Sequence, residues 1–246
     1  MKISVCLATY QGELYIHQQL ESVLSQLGVD DEVVVSDDCS KDATLAVVEG
    51  LDDPRVRVLR SATNLGYSKN FARALAASTG DVVFICDQDD VWLPGKVDTM
   101  VKALDSHDLV VADVTVVDQD LAVLENSHFA RYGVRTGFLT NFLRTRYIGA
   151  SMAMRRSVID LSLPLPPSDR YCAYDYWITL VGEAFFDVGL VTESQMLYRR
   201  HGSNASTGGG SKSENSLRHR LWVRVYCLTH LLLRSLRARR TGVQRN

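Results

Sequence analysis

The feature that most constrains this chain is a unit repeated through its first ninety residues. A short apolar run is followed by a polar cluster and then by a helical pattern. The runs are residues 3–8, ended by TYQG, 32–35, ended by SDDCSKD, 55–59, and 81–86, ended by DQDD. Between them, residues 14–27 place Ile16, Leu20, Val23, Leu24 and Leu27 on one helical face. Residues 43–51 predict a second helix, and residues 68–77 a third with Phe71, Ala74 and Leu75 inward. The apolar runs are continuous, not alternating, which predicts strands covered on both faces, as in a parallel sheet. The expected fold class is therefore α/β, an open, Rossmann-like, mostly parallel sheet flanked by helices. Such sheets bind ligands beyond the carboxyl ends of their strands. Three of those ends carry polar groups: Thr9 and Tyr10, Asp37 and Asp38, and Asp87 to Asp90.

The second half is less regular. Pro94 could start a helix running to residue 106. Residues 109–117 predict a strand, 149–154 and 186–198 hold short strands, and LPLPP at 163–167 is a break. NASTGGGSKS at 204–213 predicts a flexible loop, followed by a helix over 214–240. This divides the chain into a main domain, 1–211, and a basic amphipathic C-terminal extension, 212–246. The main domain divides further into residues 1–117 and 118–211.

Composition narrows the class. With 246 residues, 46% of them hydrophobic and 23% charged, the chain has material for a large core and is globular. Its net charge of −2 hides an asymmetry: nine Lys and Arg but only one acid lie from Lys212 onward. An acidic body with a basic tail excludes a nucleic-acid-binding core, whose basic surface would spread over the fold. Five scattered cysteines show no zinc-ligand or CxxC spacing, so the expected compartment is reducing. The first residues turn polar too quickly for a signal peptide, and no run reaches the ~20 apolar residues of a membrane span. The expectation is a cytoplasmic protein, with peripheral contact at the inner face of the plasma membrane as a variant of it.

DQDD is the densest chemical signal. Crowded carboxylates after a buried strand repel one another, and a hard divalent cation such as Mg²⁺ or Mn²⁺ relieves that. Its structural alternative is a solvated loop. SDDCSKDAT reads partly as a helix-capping turn through Ser40 or Asp42. Two adjacent acids exceed what a cap needs, and one could accept the imide N–H of uracil or thymine.

The stretches SVCLATYQGELYIHQQLESVLSQ, VVVSDDCSKDAT and NLGYSKNFARALAASTGDVVFICDQDDVWLPGK, followed by IGASMAMRRSVI, YDYWITLVG and MLYRRHGSNAS, resemble the inverting family 2 glycosyltransferases. Within them the chain looks most like the branch of bacterial rhamnosyltransferases of surface-polysaccharide synthesis. The resemblance implies a GT-A fold and a metal-dependent transfer from a nucleotide diphosphate sugar. It places Ala8, Thr9, Tyr10, Asp37, Asp38, Asn64, Gly66, Asn70, Asp87 and Gln88 at the nucleotide. Asp89 becomes the leading metal ligand, with Asp87 and His201, and Mn²⁺ or Mg²⁺ as cofactor. Asp90 is the adjacent acid, and Asp175 in YDYW is the catalytic base. Arg199 and Arg200 are candidates for the leaving diphosphate, and Trp177 lies beside the base. Alone, Asp175 reads as a helix-start residue and His201 as a surface residue.

The implied donor is dTDP-L-rhamnose, with UDP-sugars next. The implied acceptor is a glycan or a lipid-linked saccharide, with no nucleic acid partner. A nucleotide-dependent oxidoreductase is disfavoured because the first strand ends in ATYQGE, without the GxGxxG loop. A sugar-nucleotide-binding protein without catalysis is disfavoured by the complete set Asp87, Asp89, Asp175 and His201. In the C-terminal segment, Leu217, Leu221, Trp222, Val225, Leu228, Leu232 and Leu236 form a stripe. It could pack on the body or on a second subunit, or attach to an anionic membrane.

Overall fold

A computed structural model describes residues 1–202 and 216–241. The loop expected at 204–213, the boundary at 211–212 and the first residues of the helix expected from 214 lie outside the described residues.

Strands β1 (Ile3–Thr9), β2 (Glu32–Asp37), β3 (Val56–Arg60) and β4 (Val82–Asp87) lie in the order β3-β2-β1-β4, all parallel. Helices α1 (Ile16–Leu24), α2 (Thr44–Gly50) and α3 (Tyr67–Ala77) connect them. The continuous apolar runs are explained by the two faces they serve. Val5 and Leu7 of β1 and Phe84 and Cys86 of β4 face one core, with Ile16, Leu20 and Val23 of α1. The alternate residues Cys6, Val83 and Ile85 face a second core, with Phe71, Ala74 and Leu75 of α3. Each such large apolar side chain contributes about 1.5–3 kcal/mol by leaving water.

The second half completes the sheet with β5 (Val91–Trp92), β6 (Leu109–Val117), β7 (Val123–Glu125), β8 (Met152–Arg155) and β9 (Val188–Arg199). Past β4 the order continues β8-β6-β9-β5, with β7 on β6. β6 and β9 run with the first four strands, whereas β5, β7 and β8 run against their neighbours. The region expected to hold short strands at 186–198 is one strand, whose pairing with β6 shifts register around Asp113. Residues 149–151 form a 3-10 turn ahead of β8. Helix α4 (Lys96–Ala103) starts after Gly95, whose φ of +84° separates it from Pro94.

Four further helices were not evident from periodicity: α5 (His128–Tyr132), α6 (Phe138–Arg144), α7 (Arg156–Ser162) and α8 (Tyr174–Phe185). α8 is buried on nearly every side, so it has no polar face to mark it. The last helix, α9 (Leu217–Thr241), removes one of the alternatives for its apolar stripe. Its stripe does not pack on the body: Leu221, Trp222, Val225, Leu228, Leu232 and Leu236 are exposed, while Cys227 and Leu231 on the other side are buried. The side chain of Leu217 lies outside the described residues.

Candidate active site

The carboxyl ends of β1, β2 and β4 open into a cleft of about 710 Å³. One wall carries Ala8, Thr9, Tyr10, Asp38, Asn64, Gly66, Asn70, Asp87, Gln88 and Asp89. The second half of the chain contributes His128, Thr145, Arg146, Tyr147, Ile148, Gly149, Tyr174, Asp175 and Tyr198 to the lining. Residues separated by up to 190 positions therefore share one cavity, and its strand-end residues meet because parallel strands release their chains at the same edge.

Hydrogen bonds fix the first wall. The side-chain oxygen of Gln88 accepts from the Thr9 hydroxyl at 2.6 Å and the Tyr10 N–H at 2.9 Å, and its amide donates to the Tyr10 carbonyl at 3.2 Å. The Asn70 amide donates to the carbonyls of Thr9 and Ser36, tying β1 to β2. The Asp38 carboxylate accepts from the N–H groups of Leu65 (2.7 Å) and Gly66 (2.8 Å), and so holds the segment ahead of α3. Gly66 has φ +87°, a conformation a side chain would strain. Asp37 does not line the cleft: it is buried and accepts from the Ser40 N–H at 3.0 Å, which makes it a turn-forming residue.

Asp87, Asp89 and Asp90 bring carboxylate oxygens within 4.8 Å of one another. Burial first, then repulsion from Asp89 and Asp175, raises the Asp87 carboxyl far above the usual carboxylate range. Asp90 is raised by burial and by both neighbours. One Asp90 oxygen accepts from the Arg199 N–H, and the other is buried without a hydrogen-bond partner among the described residues. His201 stands 2.7 Å from Asp89 through Nε2 and stacks on Tyr15 at 4.9 Å. Three converging carboxylates with an orphaned oxygen and an adjacent imidazole form a donor set that fits a hard divalent cation.

The two arginines take other places. The Arg199 guanidinium is buried and donates to the carbonyls of Asp89 and Gln119 and to Gln18, with its charge 4.6 Å from the Tyr15 ring centre. It braces the acidic loop from behind. Arg200 is half-buried over Tyr198 and does not line the cleft. Trp177 is fully buried two residues beyond Asp175, on the opposite side of the helix, and its indole N–H donates to the Ser162 carbonyl at 2.9 Å. It is a core residue, which corrects its placement at the site.

Asp175 sits in the first turn of α8 and accepts from the Tyr176 N–H at 2.8 Å. Burial holds its carboxyl above the ordinary range, against the lowering effect of that hydrogen bond. Its position is set by close packing. A Cβ at Gly149 would lie 2.6 Å from the Tyr174 hydroxyl and 3.0 Å from the Asp175 Cβ. Tyr174 in turn stacks on Phe71 with ring centres 4.1 Å apart. Tyr67, Phe71, Gly149 and the segment from Thr145 to Ile148 also line the cleft, although they were not among the expected site residues. Only the packing of α8 against α3 and the 3-10 turn brings them there.

An open α/β sheet of this topology, with a carboxylate-rich cleft at its strand ends, has the GT-A architecture. Among solved structures, S. aureus TarS 1–349 in complex with UDP-GlcNAc superimposes with a TM-score of 0.66 at 19% identity, covering 93% of this chain and 72% of that one. A mannosyltransferase from Pyrobaculum calidifontis in complex with GDP-Man and Mn²⁺ gives 0.60 at 20% identity, covering 97% and 64%. The family model described as glycosyl transferase family 2 matches residues 4–161, and the chain belongs to that family. The abequosyltransferase RfbV of Salmonella typhimurium is 26% identical over 75% of this chain and 58% of its own length. The dTDP-rhamnosyl transferase RfbG of Shigella flexneri is 35% identical over 40% and 36%. The chain spans between 38% and 66% of the length of the first four curated relatives it matches.

Proposed function

We propose that this chain carries out metal-dependent, inverting transfer of a sugar from a nucleotide diphosphate donor to a hydroxyl of a glycan or lipid-linked saccharide. The observation that carries this reading is the meeting of Asp87, Asp89 and Asp175 in one cleft. The first pair suits a cation and the diphosphate; Asp175 suits the acceptor. A sugar hydroxyl is a weak nucleophile until a base takes its proton. Asp175 accepts that proton as the hydroxyl oxygen bonds to the anomeric carbon and the bond from that carbon to the diphosphate breaks. One displacement inverts the anomeric centre. Asp87, Asp89 and His201 would hold a divalent cation, which when bound supplies positive charge to the departing diphosphate. Asp38 is placed to orient the base-binding segment, through Leu65 and Gly66. The name of the Shigella relative favours dTDP-rhamnose as donor, with UDP-sugars next.

The test is a screen of dTDP-, UDP- and GDP-sugars that measures nucleoside diphosphate release with Mn²⁺ and with a chelator. Release from one donor class, lost on chelation and restored by Mn²⁺, is expected. Release that persists in chelator overturns the metal assignment, and the absence of release from every donor overturns the reading as a transferase.

A further inference from the structure

Two neighbouring helices turn apolar faces to solvent. On α9, Leu221, Trp222, Val225, Leu228, Leu232, Leu233 and Leu236 are 41–67% exposed. At 100° per residue they occupy one continuous face over four turns. On α6, Leu139 and Leu143, one turn apart, are 71% and 63% exposed. Arg224 joins the two helices, donating to the Leu143 carbonyl and lying 5.6 Å from the Phe142 ring. An outward apolar face this long is unusual on a free surface.

Its charge surroundings indicate what covers it. Residues 126–148, which include α6, and residues 217–241, which form α9, contain 11 of the chain's 27 Lys and Arg and none of its 29 Asp and Glu. Arg131, Arg135, Arg144, Arg218 and Arg220 are exposed. Exposed leucines and a tryptophan, with exposed arginines and no acid within either segment, match an anionic lipid surface on both counts. A second copy fits less well, since an isologous contact would set this arginine-bearing, acid-free patch against its own copy. No described helix is long and apolar enough to cross a membrane, so the contact lies in the plane of the surface.

We propose that the outward faces of α9 and α6 form a docking surface for an anionic lipid bilayer. The cleft wall containing Thr145, Arg146 and Tyr147 belongs to the same acid-free stretch, and α9 packs on α8, whose first turn holds Asp175. Docking here would bring the bilayer to the acceptor side of the cleft. The surface itself does not depend on the transferase reading.

The experiment is co-flotation of the full chain with vesicles of phosphatidylglycerol and phosphatidylcholine, against phosphatidylcholine alone, read together with tryptophan emission. Trp92 and Trp177 are 2% and 0% exposed, so a blue shift on adding vesicles reports Trp222, at 58%. Binding to the anionic vesicles, weakened by salt and accompanied by that shift, is expected. The double variant Leu228→Ser, Leu232→Ser should weaken binding about 100-fold, with an unchanged Tm, because both residues already face water. Arg218→Gln with Arg220→Gln should weaken it less, and on anionic vesicles alone. Equal binding to both vesicle types, or none to either, overturns the proposal. A dimer that Leu228→Ser, Leu232→Ser dissociates, without vesicle binding, overturns it in favour of a second copy.

Discussion

The position of Asp175 is enforced by a glycine twenty-six residues before it, and Gly149→Ala tests that coupling. Gly149 is not in the left-handed region, so alanine adds no backbone strain and the effect is steric. The new methyl group would stand 2.6 Å from the Tyr174 hydroxyl and 3.0 Å from the Asp175 Cβ, against an ordinary contact of about 3.5–4.0 Å. Tyr174 cannot retreat freely because Phe71 stacks on its other side. The start of α8 must therefore move by roughly 0.5–1 Å. Overpacking of this kind costs about 1–3 kcal/mol, which lowers Tm by roughly 2–12 °C in a chain of this size. A misplacement of about 1 Å at a reacting group costs on the order of 100-fold in rate. The expected result is a kcat lower by about 10- to 100-fold, with nucleotide affinity unchanged. The assay is steady-state nucleoside diphosphate release beside calorimetric binding of the free diphosphate. Gly182→Ala, on the same helix but away from the cleft, is the control: its methyl group crowds the Leu109 Cδ1, at 2.9 Å, and meets Val188 at an ordinary 3.5 Å. It should lose stability and keep kcat. A Gly149→Ala protein that is destabilised but turns over normally, or equal kcat losses in both variants, would refute the coupling.

Three further outcomes follow from the geometry. Asp38→Ala removes two charge-assisted hydrogen bonds, to the N–H groups of Leu65 and Gly66, each worth about 1.5–3 kcal/mol; nucleotide affinity should fall more than tenfold, on the order of those energies, and an unchanged Kd would contradict the role given to Asp38. Burial pulls the Glu32 carboxyl upward, but hydrogen bonds from Ser4, from the Thr79 N–H and hydroxyl, and from Arg57 outweigh it and bring it down to about 2. Its folded value lies below its unfolded one, so its stabilisation is complete above about pH 4.5 and is lost as pH falls toward 2. Glu32→Gln should cost roughly 1–2 kcal/mol at neutral pH after allowance for solvent screening, with a difference that shrinks on acidification in pH-dependent urea melts. Because burial raises Asp175, and a base must be ionised to act, kcat should fall on acidification through a limb above the ordinary aspartate value of about 3.9. A limb at or below that value would contradict the burial of the base.

How much of this was legible in the sequence depends on the kind of residue. β1, β2 and β4 were readable because Val5, Cys6, Leu7, Val33, Val34, Val35, Val83, Phe84 and Ile85 each face a core, leaving unbroken apolar runs, whereas β3, VRVLR, is only partly buried. The acids after β4 were readable because nothing in a strand-to-helix turn needs so many. α8 was not readable as an element: Trp177, Ile178, Leu180 and Val181 are all buried, so periodicity has no polar side to contrast with. The burial of Arg199 and Trp177 was not legible, because charge and position along the chain do not tell what a side chain packs against. A buried guanidinium satisfied by carbonyls and an indole satisfied by Ser162 are tertiary facts. Asp37 beside Asp38 looked like a second recognition acid, and only the Ser40 N–H shows it to be a turn. In α9 periodicity found the stripe, but periodicity carries no sign: it tells which residues share a face, not whether that face points inward.

The most direct test of the central claim separates binding from transfer in Asp175→Asn. The substitution keeps the size of the side chain and removes its capacity to accept a proton. Calorimetry with the donor or its nucleoside diphosphate in Mn²⁺ should give a Kd within about threefold of the unaltered protein, while transfer to acceptor falls by at least about 100-fold, the usual contribution of a positioned general base. Loss of donor binding together with transfer would make Asp175 part of the donor site, and near-normal transfer would show that the acceptor proton goes elsewhere.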